Sequence, residues 1–129
     1  MLRTISVPDH VDVIASMRCG AQGHFQFSDV AGLAPGTEVW LFGRNGTLRY
    51  DAAADKLFGG HQSDGQLTEI AVPPELEGRW RVEEEFVNAI RGKELVALTT
   101  FEDGLKYMQF TEAVSKSAAS GSAINVQDM

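Results

Sequence analysis

The stretch "TEVWLFGRNGTLRYD", from Thr37 to Asp51, decides the fold of this chain. Its centre is Asn45-Gly46, the strongest short-range signal for a β-hairpin, because both residues tolerate a positive φ. An apolar run precedes this pair, and "TLRYD" follows it as the expected return strand. The stretch therefore predicts two antiparallel strands joined by a tight turn.

The run "TEVWLFG" before the turn is apolar on both sides. Because side chains alternate along a strand, Val39 and Leu41 share one face, while Trp40 and Phe42 share the other. A strand that is apolar on both faces is typical of a sheet covered on both faces. Helices packed on one side cannot provide both covers, so we predict a homo-oligomer that packs through the sheet face opposite the helices.

The candidate interface residues are Trp40 and Phe42, together with Ile14 on an earlier strand. Alternation does not tell which face meets the partner, so Val39 and Leu41 remain the alternative pair.

Other runs of period two extend this sheet in both directions. "HVDVIASMRC" and "HFQFSDV" flank the turn "GAQG" and predict a second hairpin, and "DKLFGG" and "QLTEIAV" read as two further short strands. The short connections favour a mainly antiparallel sheet over residues 9–72.

The pattern becomes helical after Pro73-Pro74. "GRWRVEEEFVNAIRG" (78–92) has helical apolar spacing and a stop at Gly92. Thr99 and Glu102 fit a capping box for a second helix that ends at Gly121. The apolar stripe of that helix is expected at Phe101, Leu105, Met108, Val114 and Ala118. "SAINV" then predicts a closing strand, so that 78–126 holds two helices and a strand.

These elements predict one α+β domain over residues 1–129, with an open, mainly antiparallel sheet and two main helices packed on one face. Cys19, the only cysteine, excludes an internal disulfide and is expected as a core residue at a strand end.

Net charge and apolar content limit the classes of partner that this chain is expected to bind. A formal net charge of -7 at pH 7 argues against nucleic acid, whose phosphates are bound by Lys and Arg. No apolar run approaches the ~18 residues of a membrane span, and the N-terminus has no apolar signal-peptide core. We therefore expect a cytoplasmic protein with no membrane or nucleic-acid partner.

No catalytic constellation stands out. His10, His24 and His61 are far apart in sequence and follow no metal-ligand spacing, so no metal site is predicted. Glu83-Glu84-Glu85 is interpreted as a solvated face at a helix start, and Trp80 as an anchor at the entry to that helix. The chain has neither GxGxxG behind a strand nor a Walker sequence, so it is expected to bind no nucleotide cofactor.

The order of these motifs resembles a known family. "WRVEEEFVNAIRG" followed by "LTTFEDGLKYMQFTEAVSKSAASGSAINV" is similar to the end of the glucose-fructose oxidoreductase / inositol dehydrogenase / rhizopine-catabolism (Gfo/Idh/MocA) family. "VPDHVDVIASMRCGAQGHFQFS" and "TEVWLFGRNGTLRYD" look like strands of its sheet, with "GRNGTL" matching a "GxxGxL" hairpin. The resemblance covers about residues 8–126.

The resemblance implies an NAD(P)-dependent oxidoreductase of sugars or polyols as the full-length parent. In that family an N-terminal Rossmann domain holds NAD or NADP, and a C-terminal α+β domain shapes the substrate pocket and makes the oligomer contact. This chain resembles the C-terminal domain. It has no Rossmann glycines, no "EKP"-like segment with the catalytic lysine, and no clear match to the family's Asp/His pair, so no catalytic residue is assigned.

Two functions stay open. The chain is either the C-terminal substrate-pocket and oligomerisation domain of such an enzyme, inactive without its Rossmann domain, or a free-standing binding or assembly module on the same scaffold.

Overall fold

The computed structural model describes residues 7–96 and 99–128. Antiparallel strands occupy the first part of the chain and two helices the second, which confirms the α+β class with an open sheet. The elements are β1 (His10–Ser16), β2 (Gln22–Ser28), β3 (Glu38–Phe42), β4 (Gly46–Asp51), β5 (Lys56–His61), β6 (Thr68–Ile70), α1 (Val82–Ile90) and α2 (Phe101–Ser120).

The strands form two sheets. Among the described residues, β1 and β2 pair only with each other, whereas β3, β4, β5 and β6 form a four-stranded antiparallel sheet in sequence order. The chain divides into two compact units, Met1–Ile14 with His24–Gly78 and Ala15–Gly23 with Arg79–Met129. The assignment of 1–129 to one domain, and the packing of both helices on one sheet face, remain predictions.

The β3–β4 hairpin forms where the sequence predicts it, but for a different reason. The N–H of Gly43 donates to the carbonyl of Gly46 at 2.9 Å, and neither Asn45 nor Gly46 adopts a positive φ. The expected conformational role of this pair is therefore wrong. Glycine is required at position 46 because a Cβ there would collide with the carbonyl oxygen of Gly60 on β5.

A second glycine, Gly59, leaves room for side-chain packing in the middle of the same sheet. Gly59 is buried on β5, and a Cβ there would lie 2.6 Å from Ile70 Cδ1 and 2.9 Å from Leu48 Cδ2. Leu48 and Ile70 come from the two strands that flank β5, so their side chains close over the space that glycine leaves. This contact ties β4, β5 and β6 together on one face.

The cap of α2 lies one residue later than predicted. Thr100 Oγ1 accepts the N–H of Asp103 at 3.2 Å, and the Asp103 carboxylate accepts the N–H of Thr100 at 3.1 Å. Thr99 has a φ of 57°, outside the extended region that an N-cap residue adopts. The Thr99/Glu102 box is therefore wrong.

The predicted helix stops are confirmed. Gly92 follows α1 with a φ of 65°, and Gly121 ends α2 with a φ of 66°, the left-handed conformation that glycine tolerates best.

The predicted closing strand "SAINV" is wrong. Residues 122–125 form neither helix nor strand, and Val126–Asp128 form a 3₁₀ turn. The side chain of Asn125 accepts the N–H of Gln127 at 3.2 Å, and the Asn125 carbonyl accepts the N–H of Asp128 at 3.1 Å. Local bonds of this kind favour a turn over an extended strand.

Cys19 is exposed, so its assignment to the core is also wrong. β1 ends at Ser16, and the N–H of Met17 donates to the carbonyl of Ala21 at 2.9 Å, which closes the turn before Cys19 can continue the strand. Gly20 has a φ of 87° within this turn.

Candidate functional site: the two faces of the four-stranded sheet

Strand register divides the β3–β6 sheet into two chemically different faces. Trp40 lies opposite Arg49, which lies opposite Phe58, whereas Leu41 lies opposite Leu48. We call the first side the aromatic face and the second the aliphatic face. The aromatic face carries Glu38, Trp40, Phe42, Thr47, Arg49, Asp51, Lys56, Phe58 and Glu69. The aliphatic face carries Val39, Leu41, Leu48, Tyr50, Leu57, His61, Thr68 and Ile70.

Stacked rings and one guanidinium organise the aromatic face. The rings of Trp40 and Phe42 stack with centroids 5.6 Å apart and planes inclined by 11°. The Arg49 guanidinium lies 4.4 Å from the centroid of Phe58 and 5.5 Å from that of Trp40. Both distances suit a cation–π interaction. Three strands are thereby linked through a ladder of aromatic and cationic groups.

Each base on the aromatic face already has an acidic neighbour. Arg49 lies 3.4 Å from Glu38 and 4.0 Å from Asp51, and Lys56 lies 2.6 Å from Glu69. Trp40 Nε1 also donates to Glu38 at 2.9 Å, which fixes the indole against β3. Within the described residues, the buried Nε of Arg49 has no hydrogen-bond partner.

The aliphatic face has no Asp, Glu, Lys or Arg in its paired strands. Its polar side chains are those of Tyr50, His61 and Thr68, and the Tyr50 hydroxyl donates to Asp55 at 2.9 Å in the adjoining turn. This hydrogen bond to a carboxylate raises the pKa of Tyr50 above its ordinary value. The other side chains of this face are branched and apolar, and those of Leu48 and Ile70 meet over Gly59.

Both faces are open to solvent at the edge strand β3. Trp40 is 41% and Phe42 is 78% exposed on the aromatic face, and Leu41 is 61% exposed on the aliphatic face. The structure thus places the two predicted interface residues of β3 side by side. Large apolar side chains are therefore exposed next to each other at this edge of the sheet.

The third candidate, Ile14, lies on β1 and is 82% exposed. β1 and β2 form a separate sheet, so Ile14 shares no strand register with Trp40 and Phe42.

Two of the three histidines meet around one carboxylate of the β1–β2 hairpin, although they are far apart in sequence. His10 Nε2 lies 2.9 Å from Asp12 Oδ2, and His24 Nε2 lies 3.5 Å from Asp12 Oδ1. Gln26 Nε2 donates to the same carboxylate at 3.2 Å. The hydrogen bond with His10 is the main reason why the pKa of Asp12 is lowered.

These groups do not form a metal centre. Within residues 7–96 and 99–128, no set of three or more His, Cys, Asp or Glu side chains is arranged to hold a metal ion. His61 lies apart on β5, where its backbone N–H donates to Asp64 at 2.7 Å.

The acidic run at the start of α1 is less solvated than predicted. Glu85 is only 7% exposed and lies 3.8 Å from Arg81. Arg81 also contacts Glu84 at 2.9 Å and Glu94 at 3.3 Å. The hydrogen bond with Glu84 is the largest of the effects that raise the pKa of Arg81. Sequence reasoning missed this cluster, although an arginine four residues before a glutamate on a helix is a signal for such a pair.

Trp80 has the position expected for a helix-start anchor. Its indole Nε1 donates to Glu83 at 2.8 Å, so it joins the first turn of α1 through hydrogen bonding, while its ring stays exposed.

An open cleft of about 610 Å³ lies between the β3–β4 and β5–β6 turns. Arg44, His61, Gln62 and Asp64 line it together with backbone of the two turns. Asp64 is engaged with the backbone of His61, so it holds the turn. The cleft carries no cysteine, serine or lysine nucleophile among its lining residues.

Comparison with family models, with curated proteins and with solved structures gives no match for this chain. None of the helices in the part of the chain that the structure describes is long and apolar enough to cross a membrane.

Proposed function

We propose that this chain is an assembly domain, and specifically the C-terminal substrate-pocket and oligomerisation domain of an NAD(P)-dependent sugar or polyol oxidoreductase. One observation carries the assembly role: the four-stranded sheet exposes large apolar side chains on both faces. Contact with another protein surface would remove these side chains from water, and removing apolar surface from water lowers the free energy.

The oxidoreductase part of the proposal rests on the order of sequence motifs from "VPDHVDVIAS" to "SGSAINV". On this proposal the chain binds no cofactor and is inactive by itself, and NAD or NADP belongs to a Rossmann domain of the parent. Hydride transfer needs the nicotinamide held against the substrate, and no residue of this chain is assigned to that task.

The proposed partners are a second copy of the chain and the parent's Rossmann domain. The proposed location is the cytoplasm, with neither membrane nor nucleic acid as a partner.

Two measurements test this proposal. Sequencing the coding DNA upstream of Met1 should find, in frame, a glycine-rich strand-turn-helix segment; an in-frame stop codon directly upstream would contradict the enzyme reading. Purified chain mixed with NAD or NADP and a panel of polyols should give no absorbance of reduced nicotinamide. Steady reduction would overturn the claim that the chain is inactive by itself.

The second candidate is a free-standing binding or assembly module without enzymatic activity. The observation that favours it is the same pair of exposed sheet faces, since they need a partner surface whether or not an enzyme is present. A stop codon directly upstream of Met1, together with self-association of the purified chain, would select this candidate.

A further inference from the structure

We propose that the cleft between the β3–β4 and β5–β6 turns binds a small organic acid that carries hydroxyl groups, and that Arg44 binds its carboxylate. The site goes beyond the proposed assembly role, because it is formed by the turns at one end of the sheet and needs no Rossmann domain. All of its lining residues belong to the same compact unit of the chain, which includes His24–Gly78.

Two open spaces at this end of the sheet share three polar residues. A smaller space of about 460 Å³ is lined by Arg44, His61 and Gln62, and the same three residues line the cleft of about 610 Å³. Spaces of several hundred Å³ are the size of small-molecule sites. A small molecule in either space would therefore meet these three residues.

Hydrogen bonds hold the two turns in place before a ligand arrives. The N–H of Gln62 donates to the carbonyl of Asn45 at 3.0 Å, which joins the β3–β4 turn to the residue that follows β5. The Asp64 carboxylate accepts the N–H of His61 at 2.7 Å. A site that is already held in shape loses less entropy when a ligand binds.

Glycines keep space open around the polar residues. His61 lies opposite Gly46 in the β4–β5 register, so the paired residue of β4 places no side chain beside the imidazole. No atom lies within 4 Å of a Cβ built at Gly65, which lines the other side of the cleft. The cleft can therefore accept a ligand without moving a side chain at these two positions.

Arg44 is the residue that selects the charge of the ligand. Arg49 and Arg81 are paired with glutamates, whereas Arg44 makes no ion pair within residues 7–96 and 99–128. A guanidinium offers five N–H donors in a planar fork, and two of them match the two oxygens of a carboxylate. The arrangement favours a ligand with one planar carboxylate.

The other polar residues of the cleft favour a monoanion with hydroxyl groups. Asp64 adds a negative charge to the lining, which disfavours a dianion such as phosphate. Thr47, Gln62 and Gln66 also line the cleft, and none of their side chains is hydrogen-bonded to another residue that the structure describes. Hydroxyl and amide groups both donate and accept, so they can pair with the hydroxyls of a ligand.

Nitrogen-15 NMR of the full chain, titrated with four small molecules, tests the site and its selectivity. Glycerate carries a carboxylate and two hydroxyls, propionate keeps the carboxylate alone, glycerol keeps the hydroxyls alone, and inorganic phosphate is the dianion. We expect glycerate to shift the Arg44 Nε–H signal and the backbone signals of residues 60–66. Propionate should bind about 10-fold more weakly, because it lacks the hydroxyl hydrogen bonds. Phosphate should also bind more weakly than glycerate, and glycerol should shift nothing.

Arg44→Gln should weaken glycerate binding by about 30-fold, because it removes the charge-assisted hydrogen bonds. Arg18→Gln is the matched control, since Arg18 is also exposed in a hairpin turn and makes no ion pair with the described residues. Its glycerate dissociation constant should equal that of the wild type. Arg44→Lys keeps the charge without the planar fork, so its affinity should lie between those of Arg44→Gln and the wild type. It also serves as the test if Arg44→Gln does not fold.

Four results would overturn the proposal. They are no shifts with glycerate, shifts outside the cleft, equal glycerate affinity of the wild type and Arg44→Gln, and tighter binding of phosphate than of glycerate. None of these results bears on self-association, which sedimentation measures separately.

Discussion

The four-stranded sheet is stabilised by one kind of interaction and the two helices by another. In the sheet, the decisive positions are glycines: Gly46 allows a close backbone approach, and Gly59 makes room for two aliphatic side chains. In the helices, the decisive positions are polar ends, such as the Thr100–Asp103 capping box and the Arg81–Glu85 pair. The sheet should therefore respond mainly to side-chain volume, and the helices mainly to hydrogen bonding and charge.

The largest expected effect is on the sheet. Gly46→Ala introduces a Cβ that meets the carbonyl oxygen of Gly60, a backbone atom that cannot move without breaking the β4–β5 ladder. Overpacking of this kind costs about 3 kcal/mol of unfolding free energy. Urea unfolding followed by tryptophan fluorescence would measure the loss.

Gly65→Ala is the matched control, because no atom lies within 4 Å of the added Cβ. Its unfolding free energy should equal or slightly exceed that of the wild type, since alanine restricts the unfolded chain more than glycine does. Equal losses for both variants would refute the steric account of Gly46.

The next effect is at the start of α2. Thr100→Ala removes the hydroxyl that accepts the Asp103 N–H, and loss of such a cap costs about 1 kcal/mol. Far-UV circular dichroism during urea titration would show the helix unfolding at lower denaturant.

Thr99→Ala distinguishes the observed cap from the one that the sequence suggests. Thr99 lies outside the helix with a positive φ, so its replacement should change the unfolding free energy by no more than a few tenths of a kcal/mol. A larger loss for Thr99→Ala than for Thr100→Ala would place the cap at Thr99 after all.

The smallest expected effect is a pH dependence at the start of α2. The Asp103 carboxylate accepts hydrogen bonds from Lys106 and from Thr100, and these lower its pKa, with Lys106 the largest cause. A carboxyl whose folded pKa is depressed stabilises the fold above its unfolded pKa of about 3.9, and that contribution is lost as pH falls through the folded value.

Ellipticity at low pH, compared between the wild type and Asp103→Asn, measures this contribution. The wild type should exceed the variant in stability above about pH 4, and the difference should vanish at lower pH. Fluorescence of Trp40 in the sheet, recorded with Trp80→Phe in both proteins, should not follow the same transition. A difference that persists at the lowest pH would show that ionisation of Asp103 is not its cause.

Much of the sheet could be predicted from sequence because alternation and turn residues are local signals. The alternation in Val39–Phe42 and the Asn45-Gly46 pair locate β3 and β4 correctly. The reason for Gly46 could not be predicted, because Gly60 on the next strand creates the steric constraint. Period two also could not reveal that Arg49 bridges Trp40 and Phe58, since that contact depends on register across three strands.

The helical part shows where local signals mislead. Two adjacent threonines, each followed three residues later by an acid, offer two capping boxes, and the backbone conformation of Thr99 decides between them. "SAINV" has the composition of a strand, yet the bonds of Asn125 to the following backbone make a turn. His10 and His24 meet at Asp12 only because β1 and β2 pair.

The central claim is that the exposed sheet needs a second copy of the chain as its cover. Sedimentation equilibrium of the wild-type protein, from low to high micromolar concentration, tests it most directly. We expect a mass that rises from the monomer value of 14.0 kDa to that of a dimer or a higher oligomer. A mass that stays at the monomer value across the whole range would contradict the claim.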